Sequence, residues 1–272
     1  MSDTPELPLS LTGRDPLAIA VQAARQAGAI LRKLYSQEIH IENKGKRNLV
    51  TEADLQAEKS ILELLNHEYP DHSILCEESG KTEKTGEYCW IIDPLDGTTN
   101  FAFGIPIFCV SIGLVYRDEV ILGVIYDPLR GELFQARKGM GAFLNDIPIS
   151  VGDERNLQTT VVGFDLGYDD ERTREMISIV NKFWSRELTF RLIGSAALGI
   201  TYVACGRMDI YCHRRIYPWD IAAAMLLISE VGGEVTDWEG NPATVWNESI
   251  IACGDVLRHL ALRTAIGKSS DL

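Results

Sequence analysis

The stretch from Trp90 to Phe101, WIIDPLDGTTNF, constrains the fold more than any other feature of the chain. Its apolar start predicts a buried strand that presents the carboxylate of Asp93 where the strand ends. Pro94 has no backbone N–H and is expected to stop the ladder there. Because Asp96 follows three positions after Asp93, both carboxylates can converge across a tight turn.

The residues after this turn support a binding site. Gly97, Thr98 and Thr99 offer a flexible backbone, two hydroxyls and amide groups that are able to donate. Two carboxylates beside such donors suit a hard divalent cation together with a phosphate group. A lone Asp-Gly-Thr would be interpreted as a capped strand-to-helix turn, but the second acid and the proline favour a metal site.

The charge balance limits the classes of partner. The 272 residues suit one large or two closely joined α/β domains, and 26 basic against 39 acidic residues give a net charge of −13. This charge disfavours nucleic acids and anionic membranes, because both would be repelled. An acidic protein that handles a phosphate therefore needs a cation between them.

The cysteines and the apolar segments predict where the protein works. None of the six cysteines forms a CxxC pair, and most lie in apolar runs, which is typical of reduced thiols in the cytoplasm. Residues 1–15 lack the layout of a signal peptide, and no apolar stretch approaches the length of a membrane span. We expect a cytoplasmic protein with neither a nucleic-acid nor a membrane partner.

The hydrophobic pattern predicts two domains. A rise in polarity near residues 150–158 divides an N-terminal α+β domain, 1–150, from a C-terminal α/β domain, 151–272. Thr51 and Asp54 form a capping-box pattern at the start of a helix. Predicted helices span 18–35, 51–66, 171–184, 195–205 and 219–231, and predicted strands span 73–76, 107–116, 120–126, 132–137, 160–164, 190–192 and 207–212.

Further acids lie at the ends of predicted elements. They are Asp54, Glu77 with its neighbour Glu78, and Asp220. Each alone would be interpreted as a helix cap or a solvated strand end. Together with Asp93 and Asp96, and with few histidines available, they indicate an all-oxygen magnesium site rather than a zinc site. Motifs of nucleotide-binding loops and serine hydrolases are absent or incomplete.

Five segments resemble the inositol monophosphatase superfamily, over about residues 17–265. They are NLVTEAD from Asn48, CEES from Cys76, the stretch from Trp90 to Phe101, GSAA from Gly194 and PWDIAA from Pro218. The resemblance implies an α/β (α+β) fold that forms a layered αβαβα sandwich of the sugar-phosphatase type. It also implies Mg²⁺-dependent hydrolysis of phosphomonoesters, inhibition by lithium and a homodimer.

The resemblance assigns metal ligands and catalytic residues. Glu77, Asp93 and the carbonyl of Leu95 match ligands of a first Mg²⁺, and Asp93, Asp96 and Asp220 match ligands of a second. A third, weaker metal near Glu77 and Asp54 stays open. The catalytic residues implied are Asp54 and Thr98, which would orient the attacking water, and Glu77. A metal-activated water would make a protein nucleophile unnecessary.

The choice of substrate is less constrained. The resemblance gives as substrate-binding residues Asp96, Gly97, Thr98, Gly194, Ser195, Ala196, His213, Arg214 and Asp220. The amides of Gly97 and Thr98 would cradle the phosphate. Where inositol-specific relatives typically carry an acid, this chain has His213, followed by Arg214 and Arg215. This basic triplet is either a solvated strand end or a site for a second anionic group.

These alternatives define the functional expectation. The small-molecule substrate is expected to be a polyol or sugar phosphate, with inositol monophosphate first and fructose 1,6-bisphosphate second, and hydrolysis of both esters by one site is a further alternative. Histidinol phosphate and a 3′-phosphonucleotide are weaker options. A different class is a regulatory protein that keeps the fold without catalysis. Retention of the whole acidic ligand set argues against that class.

Overall fold

The computed structural model describes residues 7–35, 37, 41–45, 48–152, 160–166, 169–184 and 188–254. The helices are α1 Pro16–Leu34, α2 Glu52–Glu68, α3 Thr98–Ala102, α4 Asp170–Trp184, α5 Ala196–Ala204 and α6 Pro218–Glu230. The strands are β1 Ile41–Gly45, β2 Asn48–Thr51, β3 Ser73–Cys76, β4 Gly80–Thr82, β5 Tyr88–Asp96, β6 Cys109–Tyr116, β7 Glu119–Asp127, β8 Glu132–Arg137, β9 Ala142–Leu144, β10 Ile147–Pro148, β11 Val161–Asp165, β12 Thr189–Leu192, β13 Ile210–His213, β14 Glu234–Thr236 and β15 Ile250–Cys253.

Two sheets and the helices around them form alternating layers. The larger sheet has the order β10-β9-β8-β7-β6-β5-β3-β4, and the smaller has the order β12-β11-β13-β15-β14. Helices α1 and α2 cover one face of the larger sheet, α5 and α6 lie between the two sheets, and α4 covers the outer face of the smaller one. The predicted layered αβαβα sandwich is confirmed.

The alternation of side chains along β5 decides which layer each residue meets. Trp90 and Ile92 pack into the core beneath α1 and α2. Ile91 packs on the opposite face, against Ala222 of α6. Because successive strand residues point to opposite faces, Asp93 shares the face of Ile91 and lies toward α6.

The prediction that Pro94 ends the ladder was wrong. Strand β5 continues to Asp96, which pairs with Cys109, while Asp93 pairs with Ser111. The register shifts between these two pairs, so Pro94 lies in a bulge. A bulge leaves a residue outside the ladder, and a proline without an N–H is accepted there.

The predicted helices and longer strands are present with ends within two residues, apart from the start of β13, which lies three residues later than predicted. Thr51 and Asp54 form the predicted capping box of α2. Strands β1, β2, β4, β14 and β15 were not predicted. All five are short and supply too few residues for a clear alternation.

The predicted domain boundary falls at residues 150–158, of which 153–158 lie outside the described residues. The division at 150 stays a prediction. Helix α6 belongs to the second part of the chain but packs on β6 and β7 of the first. No helix in the described ranges is both long enough and apolar enough to cross a membrane.

We expect Gly123→Ala to destabilise the protein by about 3 kcal/mol, because a Cβ at this position of β7 would lie 2.4 Å from the carbonyl oxygen of Ala223 in α6. Gly113→Ala is the graded comparison. Its Cβ would lie 3.1 Å from the side chain of Ala222, and we expect a loss of about 1 kcal/mol. Chemical denaturation measures both, and equal losses would contradict this account of the packing.

Candidate metal centre

The bulge in β5 brings two acids to one face. Four residues of β5, from Asp93 to Asp96, lie opposite three of β6, from Ser111 to Cys109. Without the bulge, a side chain three positions after Asp93 would point to the opposite face. With the extra residue, Asp96 takes the face that Leu95 would otherwise hold. The local sequence therefore folds so that both carboxylates point toward α6.

Asp220 completes a cluster of carboxylates. It lies in the first turn of α6, and one carboxylate oxygen from each of Asp93, Asp96 and Asp220 lies within 4.8 Å of the others. Glu77 follows β3, the parallel neighbour of β5, and its N–H donates to the carbonyl of Ile92 at 3.2 Å. The negative charge of Glu77 acts on both Asp93 and Asp220.

Backbone N–H groups hold these acids in place. The amide of Leu95 donates to Asp93 at 2.9 Å, and the amide of Tyr217 donates to Asp220 at 2.8 Å. Asp96 accepts from the hydroxyl of Ser195 and from the amides of the next two residues, at 3.2 and 2.9 Å. These donors orient each carboxylate and offset part of its burial.

Burial raises the pKa of all three clustered acids. For Asp93 and Asp220 the charges of neighbouring acids raise it further, whereas hydrogen bonds from Ser195 and the α5 amides oppose the rise at Asp96. Two of these carboxylates are buried and that of Asp220 is half-buried, so at this spacing they repel one another, and a cation would relieve that repulsion. Because the clustered donors are all carboxylate oxygens, the site fits a hard divalent ion such as Mg²⁺.

Asp54 and Thr98 form a second polar unit beside the cluster. The Thr98 hydroxyl is within hydrogen-bond distance of Asp54 Oδ1 at 3.0 Å and of the Leu95 carbonyl at 3.1 Å. Asp54 Oδ2 accepts from the amide and the hydroxyl of Thr51, at 2.8 and 2.6 Å. Burial raises the pKa of Asp54 to about 6, although the hydrogen bonds from Thr51 and Thr98 lower it.

The predicted phosphate cradle lies at the start of α3. Gly97, at φ 97°, precedes the helix, and its carbonyl accepts from the amide of Phe101 at 2.9 Å. The first N–H groups of a helix have no intrahelical acceptor and can bind an anion. The amides of Gly97 and Thr98 lie at this helix start, directly after Asp96, and their binding of phosphate stays a prediction.

Gly194, Ser195 and Ala196 lie at the start of α5, against Asp96. The side chain of Ser195 caps the helix by accepting from the amide of Leu198, and it donates to Asp96. The amide of Ala196 also donates to Asp96, and the amide of Gly194 donates to Asp165. These residues surround a predicted metal ligand, and their binding of substrate stays a prediction.

The basic triplet has protein partners. His213 is 7% exposed, burial lowers its pKa to about 4, and its Nδ1 accepts from the amide of Arg215 at 3.0 Å. Arg214 pairs with Glu175 at 2.6 Å and stacks over the ring of Trp238 at 4.7 Å. His213 is therefore a neutral, buried imidazole rather than a solvated cation.

Sequence reasoning missed Asp165 and Asn100. Asp165 ends β11, is buried, and accepts from the amide of Gly194 at 2.6 Å. Asn100 in α3 donates to the carbonyl of Gly194 at 3.2 Å. The signal for Asp165 was present in the sequence, because it follows an apolar strand just as Asp93 does. Asn100 gave no comparable signal.

The chain matches the inositol monophosphatase family over residues 14–268. It is 42% identical over 241 residues to an inositol-1-monophosphatase of Synechocystis, with 87% of this chain and 83% of the relative aligned. It is 40% identical to Nus factor SuhB of Pasteurella multocida, with 87% and 90% aligned. The solved structure of extragenic suppressor protein suhB from Bartonella henselae superposes with a TM-score of 0.88 at 36% identity, covering 93% of this chain and 98% of that one.

The fold, the acidic cluster and these matches define a phosphoric monoester hydrolase. The chain belongs to the inositol monophosphatase family. The family resemblance drawn from the sequence is thereby confirmed.

The raised pKa of Asp54 predicts a pH-dependent difference in stability. A folded-state pKa of about 6 against 3.8 means that the native protein binds this proton more tightly than the unfolded chain. The stabilisation is complete below pH 3.8 and is lost as the pH rises through about 6. With EDTA present, we expect the free energy of unfolding of Asp54→Asn to gain about 2–3 kcal/mol relative to the wild type between about pH 4 and about pH 7.

Glu87→Gln is the control for this measurement. Hydrogen bonds from Arg117 and Tyr116 lower the pKa of Glu87. The free energy of unfolding of the wild type should therefore increase relative to that of Glu87→Gln as the pH rises. Denaturant titrations at a series of pH values measure both trends. If the free energy of unfolding depends on pH in the same way for Asp54→Asn and the wild type, the raised pKa of the Asp54 carboxyl is contradicted.

Proposed function

We propose that this phosphatase uses Mg²⁺ to hydrolyse a small polyol or sugar phosphate, and that inositol monophosphate is its preferred substrate. The observation that carries the proposal is the cluster of Asp93, Asp96 and Asp220 beside the Thr98–Asp54 pair. The printed name of the Synechocystis relative supports the choice of substrate. Net charge −13 also makes a cation necessary for binding a phosphate dianion.

The acids divide into two proposed ligand sets that share Asp93. Glu77, Asp93 and the Leu95 carbonyl would hold one Mg²⁺, and Asp93, Asp96 and Asp220 would hold the other. When bound, Mg²⁺ supplies a lowered pKa for water and stabilisation of the negative charge on the phosphoryl and leaving oxygens. The amide donors to Asp93, Asp96 and Asp220 keep these carboxylates oriented.

Asp54 and Thr98 would orient the attacking water. With a pKa of about 6, Asp54 is ionised at neutral pH and can accept the hydroxyl proton of Thr98. The lone pairs of Thr98 Oγ1 are then left to accept a hydrogen bond from water. Displacement at phosphorus proceeds in line and needs positioning more than a protein nucleophile.

The partners of the basic triplet favour inositol monophosphate over fructose 1,6-bisphosphate. A second phosphate at Arg214 would have to compete with Glu175 and with the stacking on Trp238. Because Nδ1 of neutral His213 accepts a hydrogen bond, its proton lies on Nε2, a single uncharged donor. Such a donor suits a hydroxyl better than a dianion.

The remaining proposals concern the cell and the assembly. We include a homodimer, a cytoplasmic location and two or three Mg²⁺ per site, as the family resemblance implies. The cytoplasmic location is supported by the six cysteines, all of which lie in the described residues as free thiols.

A second candidate is a non-catalytic interaction role. It is suggested by relatives named Nus factor SuhB, which align over as much of this chain as the relative named as a phosphatase. The net charge of −13 disfavours direct contact with nucleic acid and would direct such a role to a protein partner. Because a non-catalytic protein releases no phosphate, an activity measurement separates the two candidates.

The test is Mg²⁺-dependent phosphate release from inositol 1-phosphate, fructose 1,6-bisphosphate, histidinol phosphate and a 3′-phosphonucleotide. We expect turnover of the inositol ester that EDTA abolishes. Preference for the bisphosphate would transfer the assignment to the second substrate and implicate Arg214. Silence across the panel would reject these four substrates and leave either another phosphate ester or the interaction role.

We expect Asp93→Asn to lower kcat by about 10³-fold or more, because Asp93 is the proposed shared ligand and an amide supplies no negative charge. Phosphate release at saturating Mg²⁺ measures this loss.

Asp127→Asn is the matched control. Asp127 is equally buried, but it holds the turn after β7 by accepting from the amides of Leu129 and Arg130. Its kcat should stay near that of the wild type. Near-wild-type turnover by Asp93→Asn would remove Asp93 from the site.

A further inference from the structure

Another buried carboxylate, that of Asp165, lies outside the metal cluster. Asp165 ends β11, and its Oδ1 accepts from the amide of Gly194 at 2.6 Å. Its Oδ2 accepts from the hydroxyl of Tyr211 at 2.7 Å. Tyr211 is fully buried on the neighbouring strand β13, so it holds the carboxylate from a rigid part of the sheet.

The turn that Asp165 holds is fixed from its other side by Asn100. The Asn100 side-chain amide donates to the carbonyls of Ile193 and Gly194, at 3.0 and 3.2 Å. Gly194 has a φ of 73°, and a Cβ there would lie 2.8 Å from the Asn100 side chain. The turn is thus clamped at its amide by Asp165 and at its carbonyls by Asn100.

This turn aims three donors at a predicted metal ligand. Directly after Gly194, the hydroxyl of Ser195 and the amides of Ala196 and Ala197 all donate to Asp96. Oδ2 of Asp96 accepts from Ser195 and Ala197, whereas Oδ1 accepts from Ala196. Since a carboxylate oxygen has two lone-pair directions, Oδ1 keeps one for a cation.

We propose that Asp165 is a positioning residue of the phosphatase site, which fixes the Gly194 turn so that the start of α5 orients Asp96 toward the cation. The proposal rests on the function proposed above. Asp165 reaches Asp96 only through the turn and α5, and it acts through them. Partners that orient metal ligands in this way commonly control metal affinity as well as activity.

The experiment titrates Mg²⁺ into metal-free protein and follows the rise in Tm, and it also measures the Mg²⁺ dependence of phosphate release. For Asp165→Ala we expect the Mg²⁺ concentration for half-maximal response to rise by about 10-fold or more in both measurements. Asp165→Asn keeps a carbonyl oxygen that can accept from the Gly194 amide, and its shift should be about threefold at most.

Asp127→Ala is the matched control, because it also removes a buried carboxylate that holds a turn. We expect it to lower Tm without changing the Mg²⁺ concentration for half-maximal response. If Asp165→Ala behaves in the same way, its role is structural only and the proposal is overturned. Equal shifts for Asp165→Ala and Asp165→Asn would also overturn it, because the retained acceptor would then have no effect.

Gly194→Ala provides a second variant that disturbs the same turn, and it decides the matter if Asp165→Ala does not fold. It should raise the same Mg²⁺ concentration, and an unchanged value would overturn the proposal. The rise in Tm needs no substrate. A wild type that binds Mg²⁺ but releases no phosphate from any ester would therefore reject the proposed function, while the role of Asp165 is still decided by the metal titration.

Discussion

Backbone N–H groups that hold buried carboxylates are the interaction on which this site depends. Asp54 and Asp220 each accept from the amide of the residue just before their own helix, and Asp93 accepts from the amide two residues on. Asp96 is held by the start of a different helix, α5. Without these donors, acids this close and this buried would protonate or move apart.

The same arrangement reconciles the structural and functional interpretations of these acids. Asp54 and Asp220 both lie at the third position of a helix and cap it by accepting from the amide of the N-cap residue, a structural role that each alone would be expected to have. In Asp54 the cap occupies Oδ2, while Oδ1 meets Thr98. In Asp220 the amide of Tyr217 also binds Oδ2. A cap therefore fixes the orientation of a carboxylate and leaves its second oxygen for chemistry.

The sequence predicted the site better than the details that shape it. The run from Trp90 to Asp96 identified the central strand and two acids, because two carboxylates at the end of an apolar strand are not explained by local secondary structure alone. The same run did not reveal that β5 continues through Pro94, since a bulge depends on pairing with β6. Asp165 was missed because its partners, Gly194 and Tyr211, lie 29 and 46 positions away along the chain.

Helix α6 packs directly on the backbone of the larger sheet where Gly113 and Gly123, which have no side chains, face Ala222 and Ala223. Asp220 is carried by this helix, while Asp93 is carried by the sheet. The glycine–alanine contact therefore sets the width of the opening between the two carboxylates. Mg²⁺ binds oxygen ligands at about 2.0–2.1 Å and Ca²⁺ at about 2.3–2.6 Å. The spacing between helix and sheet would therefore select the size of the ion at the proposed site. Substitutions at these small residues offer a route to changing ion selectivity without altering any ligand.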